Sequence, residues 1–271
     1  MGGTAGRRRS TSRERVPAIG IAILALLTGC DVPPDPRDRP AAPWLSSSPA
    51  DGATGVDRLA PIVLRWDRPI LPSSIPVATV RLGSGERRFR IAVRADPLEP
   101  GIVVRPVRPL PAGVRFLLEV DGLEDLDGEP VEPAAISFVT GEAATPEPAP
   151  PGFAEVEPIF ARSCAPCHRG PSAPLGLDLS SAAGIEATAI GVPAAELRGQ
   201  PGPEARPAPG LGGLARIAAA AGSGSPETSY LVYKLLGDPH VVGQPMPPAG
   251  PSLPAADLRL LADWIAAGAP R

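Results

Sequence analysis

Two cysteines and a histidine stand close together in the second half of the chain. They form the run Cys164-Ala-Pro-Cys167-His168. On a helical turn the two thiols lie three residues apart on one face. That spacing suits thioether bonds from both sulfurs to the two vinyl groups of a porphyrin, and the next residue offers an imidazole nitrogen to the iron. The sequence therefore predicts one covalently attached haem c.

Three other uses of these residues are alternatives to haem attachment. A structural disulfide leaves the adjacent histidine without a role. A thioredoxin-like redox pair is expected near a βαβ pattern, which does not surround this run. Zinc takes four ligands, and beyond the three residues of the run the sequence offers only His240 and Cys30. Haem attachment explains all three residues and is the prediction.

Met246 is the expected second axial ligand of the iron. It is the only methionine besides Met1, and prolines stiffen the backbone on both sides in Gln244-Pro-Met-Pro-Pro248. A thioether is a soft ligand that favours ferrous iron and raises the potential. His240 is expected to be a solvated loop residue, and bis-histidine ligation is the alternative.

Three predicted helices must position these residues. One begins at Pro158, where the missing N–H costs nothing, and carries Phe160 beside the haem. A second spans Ser225–Gly237, which starts with Ser-Pro and stops at Gly. The third, Ala255–Ala267, places its large apolar side chains on one stripe. The last two helices frame the loop that carries Met246, and both are apolar enough to cover a haem.

The order of these parts resembles the class I cytochrome c family. Three segments carry the resemblance: Val156–Phe160, Gln244–Pro248 and Asp263–Ala269. It implies an all-α class I cytochrome c-like domain over residues 153–271, with His168 as the proximal and Met246 as the distal iron ligand. Residues 182–224 are rich in Ala, Gly and Pro and form an insertion that a compact domain of this family does not need.

Short β runs separated by turn formers precede this region. The predicted strands are Ile62–Trp66, Val77–Leu82, Arg88–Val93, Gly101–Arg105, Arg115–Val120 and Ala135–Thr140. Their spacing of about a dozen residues predicts an all-β sandwich. Ser48–Gly55 and Asp121–Gly128 resemble turns of bacterial Ig-like domains, which implies an Ig-like β-sandwich over residues 44–141. The acidic loop 121–128 is predicted to be a turn and not a calcium site, because the EF-hand spacing is absent.

The amino terminus is predicted to be a secretory signal. Several arginines lead into the apolar run Val16–Gly29, which is too short to span a bilayer. Leu27-Thr-Gly-Cys30 resembles a bacterial lipoprotein box, which implies that Cys30 is lipidated and begins the mature chain. An ordinary signal peptide or a buried apolar helix is the alternative. The resemblance implies a lipid anchor to the inner or outer membrane of a bacterial cell envelope, with the haem domain outside the cytoplasm.

The sequence thus predicts five consecutive parts. They are a lipoprotein signal peptide (1–29), a Pro-rich tether (30–43), the Ig-like β-sandwich (44–141), a Pro-rich linker (142–152) and the haem domain (153–271). Prolines in the tether and linker favour extended chain over helix or central strand.

Charge and motif content narrow the function. The formal charge of the chain is −3, and residues 1–29 carry five arginines against one glutamate, so the remainder is more acidic than the whole. It lacks the basic stripe that nucleic-acid binding needs. We expect a membrane-anchored mono-haem c-type cytochrome that passes single electrons between redox protein partners and is not an enzyme. The alternatives are a haem-containing envelope enzyme component, or a haem-based sensor or adhesive surface protein.

Overall fold

The structure is a computed structural model that describes residues 1–3, 40–197, 211–248 and 251–271. The chain divides into two compact units, Met1–Asp35 and Pro36–Arg271. The predicted signal peptide and Cys30 lie outside the described residues. Among the residues that are described, none of the helices has the length and apolar character needed to cross a membrane.

Residues 44–140 form two sheets. Their strands are β1 Trp44–Ser48, β2 Ala53–Val56, β3 Ile62–Trp66, β4 Thr79–Ser84, β5 Arg87–Phe89, β6 Ile91–Ala95, β7 Gly101–Pro106, β8 Arg115–Asp121 and β9 Ala134–Thr140. One sheet has the order β1-β3-β7-β6 and is antiparallel throughout. The other has the order β2-β9-β8-β4-β5, in which β2 and β9 are parallel and the other pairs antiparallel.

The two sheets enclose one hydrophobic core. Alternation along β8 buries Phe116, Leu118 and Val120 and exposes the residues between them. The Phe116 and Phe138 rings stack with centroids 5.7 Å apart, and Phe89 meets Phe116 edge-on at 5.0 Å. Large apolar side chains of the sandwich itself therefore fill this core.

The strand predictions succeed where alternation or an apolar run is strong. The predicted bounds of β3 are those observed, and those of β7, β8 and β9 differ by one residue. β1 and β2 were missed because their sequences, WLSSS and ATGV, are short and mostly polar or small. The predicted single strand Arg88–Val93 is two strands, β5 and β6, which belong to different sheets.

The C-terminal region combines short helices with turns and a small ribbon. Its elements are α1 Phe153–Ser163, α2 Ala182–Thr188, α3 Tyr230–Leu236 and α4 Ala255–Ala266, with β10 Ala219–Ala220 and β11 Ser223–Gly224 paired as the ribbon. α1 begins five residues before the predicted start at Pro158, where the Gly152 N–H donates to the Glu155 carboxylate. α3 is shorter than predicted because Pro226–Thr228 forms a separate 3-10 turn.

Helices α1 and α4 pack against each other through aromatic side chains. Phe160 meets Trp264 edge-on, with ring centroids 5.7 Å apart. The ribbon lies so close to α4 that a Cβ at Gly224 would be 1.8 Å from the Ile265 carbonyl oxygen. Glycine is therefore required at this contact. This packing fixes the end of α1 from which the Cys164–His168 run continues.

The predicted all-α class I cytochrome c-like domain is wrong. The described part of the chain is β-rich, with three sheets against four helices of seven to twelve residues. Glycine and proline are frequent in the C-terminal region, and both shorten helices. Turns, isolated bridges and the ribbon take the place of a helical bundle. A β domain is present, as predicted, whereas the five domain bounds stay a prediction.

Candidate functional site

The Cys164–His168 run continues α1 as one more helical turn. The Cys164 N–H donates to the Phe160 carbonyl oxygen at 3.0 Å, and the His168 N–H donates to the Cys164 carbonyl oxygen at 2.9 Å. This turn faces a cavity of about 770 Å³. The cavity lies within the size range of cofactor sites in proteins. The sequence motif and the cavity are thus parts of one site.

All four residues predicted to hold a cofactor line this cavity. Cys164, Cys167 and His168 lie on its α1 side, and Met246 reaches it from the loop between α3 and α4. Most of the remaining wall is apolar and includes Leu177, Leu179, Ile217, Leu231, Leu235 and Leu253. Tertiary structure therefore brings together residues that are about 80 positions apart in the sequence.

The two thiols have different surroundings. Cys164 is buried and Cys167 is exposed, and both are free thiols. Burial raises the pKa of the Cys164 thiol to about 11, and the Arg162 guanidinium opposes part of that shift. Cys164 is therefore a neutral thiol at pH 7, which suits a thiol held against an apolar cavity.

One hydrogen bond to the ring and one to the backbone hold His168 in place. Its Nδ1 lies 3.2 Å from the Leu177 carbonyl oxygen. A carbonyl oxygen can only accept, so this contact requires the proton on Nδ1 and leaves the Nε2 lone pair free for a metal. The His168 carbonyl oxygen in turn accepts from the Leu179 N–H at 2.9 Å. Both contacts tie the histidine to the segment 177–179.

Arg216 supports the same wall and was not identified from the sequence. Its buried guanidinium donates to the carbonyl oxygens of Leu175, Gly176 and Thr188. These bonds hold the chain on either side of the segment that orients His168. No spacing pattern in the sequence distinguishes Arg216 from the other arginines, so this role appears only in the folded chain.

Met246 and His240 have different places in the structure. Met246 is half-buried, lines the cavity, and packs against the hydrophobic core of the C-terminal region. His240 does not line the cavity, within the described residues. Its Nδ1 is 2.8 Å from the Asp238 carboxylate, and its Nε2 is 3.2 Å from the carboxylate of Asp127. His240 is thus a partly exposed loop residue whose ring contacts two carboxylates away from the cavity.

Expectations of a metal-binding centre need correction. In residues 40–197, 211–248 and 251–271, no group of three or more His, Cys, Asp and Glu side chains could hold a metal ion. The expectation that the chain is metal-binding is therefore corrected for these residues, which hold no such group of side chains, and zinc, which the sequence did not favour, has no site among them. In the acidic loop 121–128, the Asp125 carboxylate accepts hydrogen bonds from the Arg68 guanidinium at 2.6 Å and from two backbone amides.

Comparisons with known proteins give no family. No family model matches the chain, and no curated protein matches it. The predicted assignment to a class I cytochrome c domain fused to a bacterial Ig-like domain is therefore corrected: no family model supports it, and the described residues contain no all-α domain.

Several solved structures show partial similarity. CopC from Methylosinus trichosporium OB3b is 12% identical, with a TM-score of 0.31 over 39% of this chain and 99% of that one. The S-layer protein SbsC is 15% identical, with a TM-score of 0.28 over 42% of this chain and 15% of that one. L,D-transpeptidase 1 from Mycobacterium tuberculosis is 18% identical, with a TM-score of 0.26 over 38% of this chain and 40% of that one.

Proposed function

We propose that the chain is a single-electron carrier that holds one haem covalently through Cys164 and Cys167. One observation carries the proposal: both thiols, His168 and Met246 line the same apolar cavity. If the Cys164–His168 run had no role in binding, nothing would require its thiols and the single internal methionine to line the same cavity. Their convergence supports a cofactor that needs two sulfurs, an imidazole and a thioether.

The residues of the cavity fit a haem. The two cysteines would hold it through thioether bonds, and His168 and Met246 would bind its iron. When bound, haem c supplies an iron that gains and loses one electron. The apolar wall suits a large planar ring, and the cavity volume of about 770 Å³ is of the size that encloses organic cofactors.

The protein side chains would set the properties of the site. The Leu177 carbonyl holds the His168 ring so that Nε2 keeps its lone pair. The Met246 thioether favours the reduced state of iron, which raises the potential. The mostly apolar walls would lower the polarity around the bound group. His168 and Met246 would both be taken up in holding the iron, which favours electron transfer over chemistry on a bound substrate.

The location in the cell envelope is part of the proposal. Cys30 would carry the lipid that anchors the chain to the inner or outer membrane, and each buried methylene adds about 0.8 kcal/mol of membrane affinity. Redox proteins of the envelope would be the electron donors and acceptors. These statements rest on the lipoprotein-like sequence ending at Cys30 and on the need for haem attachment outside the cytoplasm.

The test is covalent haem retention by the full chain. In a bacterial host with cytochrome c maturation, haem should remain on the polypeptide through denaturing electrophoresis. Cys164→Ser/Cys167→Ser should abolish it, whereas the matched control Cys30→Ser should keep the haem and release the protein from membranes. Haem that separates from the wild-type chain in detergent contradicts the proposal.

Carbon monoxide distinguishes the electron carrier from the alternatives. Reduced wild-type protein should resist carbon monoxide, because His168 and Met246 would both hold the iron. Rapid carbon monoxide binding to the wild type would instead favour an enzyme component or a haem-based sensor.

A further inference from the structure

The only lysine of the chain is buried beside the cavity. Lys234 lies on α3 and is only 5% exposed to solvent. Its ammonium group donates to the carbonyl oxygens of Val242 and Gln244, both at 2.7 Å. The Glu196 carboxylate lies 3.5 Å from the same ammonium group. A buried charge is costly unless hydrogen bonds and an opposite charge compensate it, and here both are present.

The backbone of Lys234 binds the same loop a second time. The Met246 N–H donates to the Lys234 carbonyl oxygen at 2.8 Å. One residue of α3 therefore contacts three positions of residues 242–246, which we call the Met246 segment. Its side chain fixes the beginning of the segment, and its backbone fixes the end.

Tyr230, one turn earlier on α3, adds a further contact. Its hydroxyl accepts from the Val242 N–H at 2.8 Å. The Lys234 ammonium group is 5.8 Å from the centroid of the Tyr230 ring, within the range of a cation–π contact. The hydrogen bonds of Lys234 and Tyr230 thus satisfy polar backbone groups of a segment that has no regular secondary structure.

These contacts reduce the freedom of Met246. A loop without internal hydrogen bonds loses conformational entropy when its methionine is held in one place. Charge-assisted hydrogen bonds are stronger than neutral ones, so the ammonium group holds the Met246 segment more firmly than an uncharged donor. Prolines 245 and 247 restrict the backbone further. The methionine is thereby held at the cavity before any cofactor contact forms.

We infer that Lys234 is a positioning residue that holds the Met246 thioether at the cavity through the Met246 segment. The inference rests on the proposed haem function, since a ligand role for Met246 is what gives the positioning its effect. Lys234 itself does not act as the ligand: its ammonium group is engaged by Val242, Gln244 and Glu196.

The first experiment uses Lys234→Leu in the full chain loaded with haem, with Lys234→Arg as the conservative variant. We expect Lys234→Leu to keep covalent haem but to weaken the sulfur-to-iron absorption band and to bind carbon monoxide at least about tenfold faster, the factor expected for loss of one such hydrogen bond. Lys234→Arg should restore much of the band, because it retains a buried positive donor. Tyr230→Phe, which removes one neutral hydrogen bond, should have a smaller effect than Lys234→Leu.

The outcomes separate the two proposals. A wild-type chain without covalent haem overturns the proposed function. A wild type with covalent haem and a sulfur band that is unchanged in Lys234→Leu overturns the positioning role alone.

A second measurement needs no folded Lys234 variant. Because the chain has one lysine, acylation of its ε-amine by an amine-reactive ester can be followed by mass spectrometry of the peptide that contains it. Lys234 should react at least about tenfold more slowly in the native wild type than in the unfolded chain, since its donors are engaged. Met246→Ala should accelerate the native reaction by loosening the segment. Equal rates in native wild type and native Met246→Ala would contradict the coupling between Lys234 and Met246.

Discussion

The β-sandwich and the C-terminal region fill their interiors in different ways. In the sandwich, Trp66, Phe116 and Phe138 are almost completely buried and occupy the space between the sheets. In the C-terminal region, apolar side chains surround a cavity of about 770 Å³ and leave it open to a ligand. Protein interiors are normally close-packed, so a cavity of this size indicates a binding site. One region is filled by its own side chains, and the other leaves a space of ligand size between them.

The largest expected effect follows from removing both thiols. Cys164→Ser/Cys167→Ser should leave no covalent haem. Amide hydrogen exchange around the cavity should then be faster, because the cavity walls would have no haem to pack against. The strands β3, β7 and β8 should keep their protection. Hydrogen exchange with mass spectrometry measures both regions in one sample. Equal loss of protection in the sandwich would show that the two interiors are not independent.

A substitution in the β-sandwich core tests the region that is filled by its own side chains. Phe116→Ala removes a ring that stacks on Phe138, and it should lower the free energy of unfolding by about 3–5 kcal/mol. The matched control Leu117→Ala, on the exposed face of β8, should change it by less than about 0.5 kcal/mol. Denaturant unfolding gives both values. The haem absorption spectrum should be the same in both variants; a shift in Phe116→Ala would link the sandwich core to the iron.

Substitution of Met246, the proposed iron ligand, should have a smaller, local effect. Met246→Ala should abolish the sulfur-to-iron band, lower the potential and open the reduced iron to carbon monoxide, because a soft ligand of ferrous iron is lost. His240→Ala should leave all three readouts unchanged, since its ring contacts Asp238 and Asp127 and not the cavity. Carbon monoxide binding by His240→Ala but not by Met246→Ala would reverse the assignment.

The smallest expected effect lies where the two regions meet. Within the described residues, the Glu227 carboxylate has one buried oxygen with no hydrogen-bond partner. Burial raises the pKa of Glu227, opposed by the Arg94 guanidinium and supported by the Asp96 carboxylate. A raised folded-state pKa stabilises the fold at low pH, and this stabilisation is lost as pH rises from the unfolded value near 4.5 through the folded value.

Glu227→Gln should therefore raise the free energy of unfolding at pH 7. Above about pH 4.5, the free energy of unfolding should also decrease less steeply with pH in the variant than in the wild type. Urea unfolding across pH 4–8 measures the change. Glu157→Gln, at an exposed position of α1, is the control and should leave the pH dependence as it is. A steeper decline in Glu227→Gln would mean that the ionised carboxylate is stabilised in the folded chain.

Local patterns account for the elements that were predicted well. Alternation along β8 and β9 needs only the period of a strand, so the predicted bounds differ from the observed ones by one residue. The apolar stripe of α4 likewise predicts Ala255–Ala266 almost to the residue. β1 and β2 were missed because they are short and mostly polar or small and gain their strand structure by pairing with β3 and β9, and the ribbon was missed because each of its strands has only two residues, all small.

The same contrast applies to the site. The spacing Cys164-x-x-Cys167-His168 and the single internal methionine are properties of the sequence, and they predict the four residues of the site. Tertiary structure decided that all four line one cavity, that the Leu177 carbonyl orients His168, and that two carboxylates hold His240 elsewhere. It also replaced the expected all-α domain by short helices, turns and a ribbon. Spacing within one turn fixes local geometry, whereas contacts between distant segments depend on how the whole chain packs.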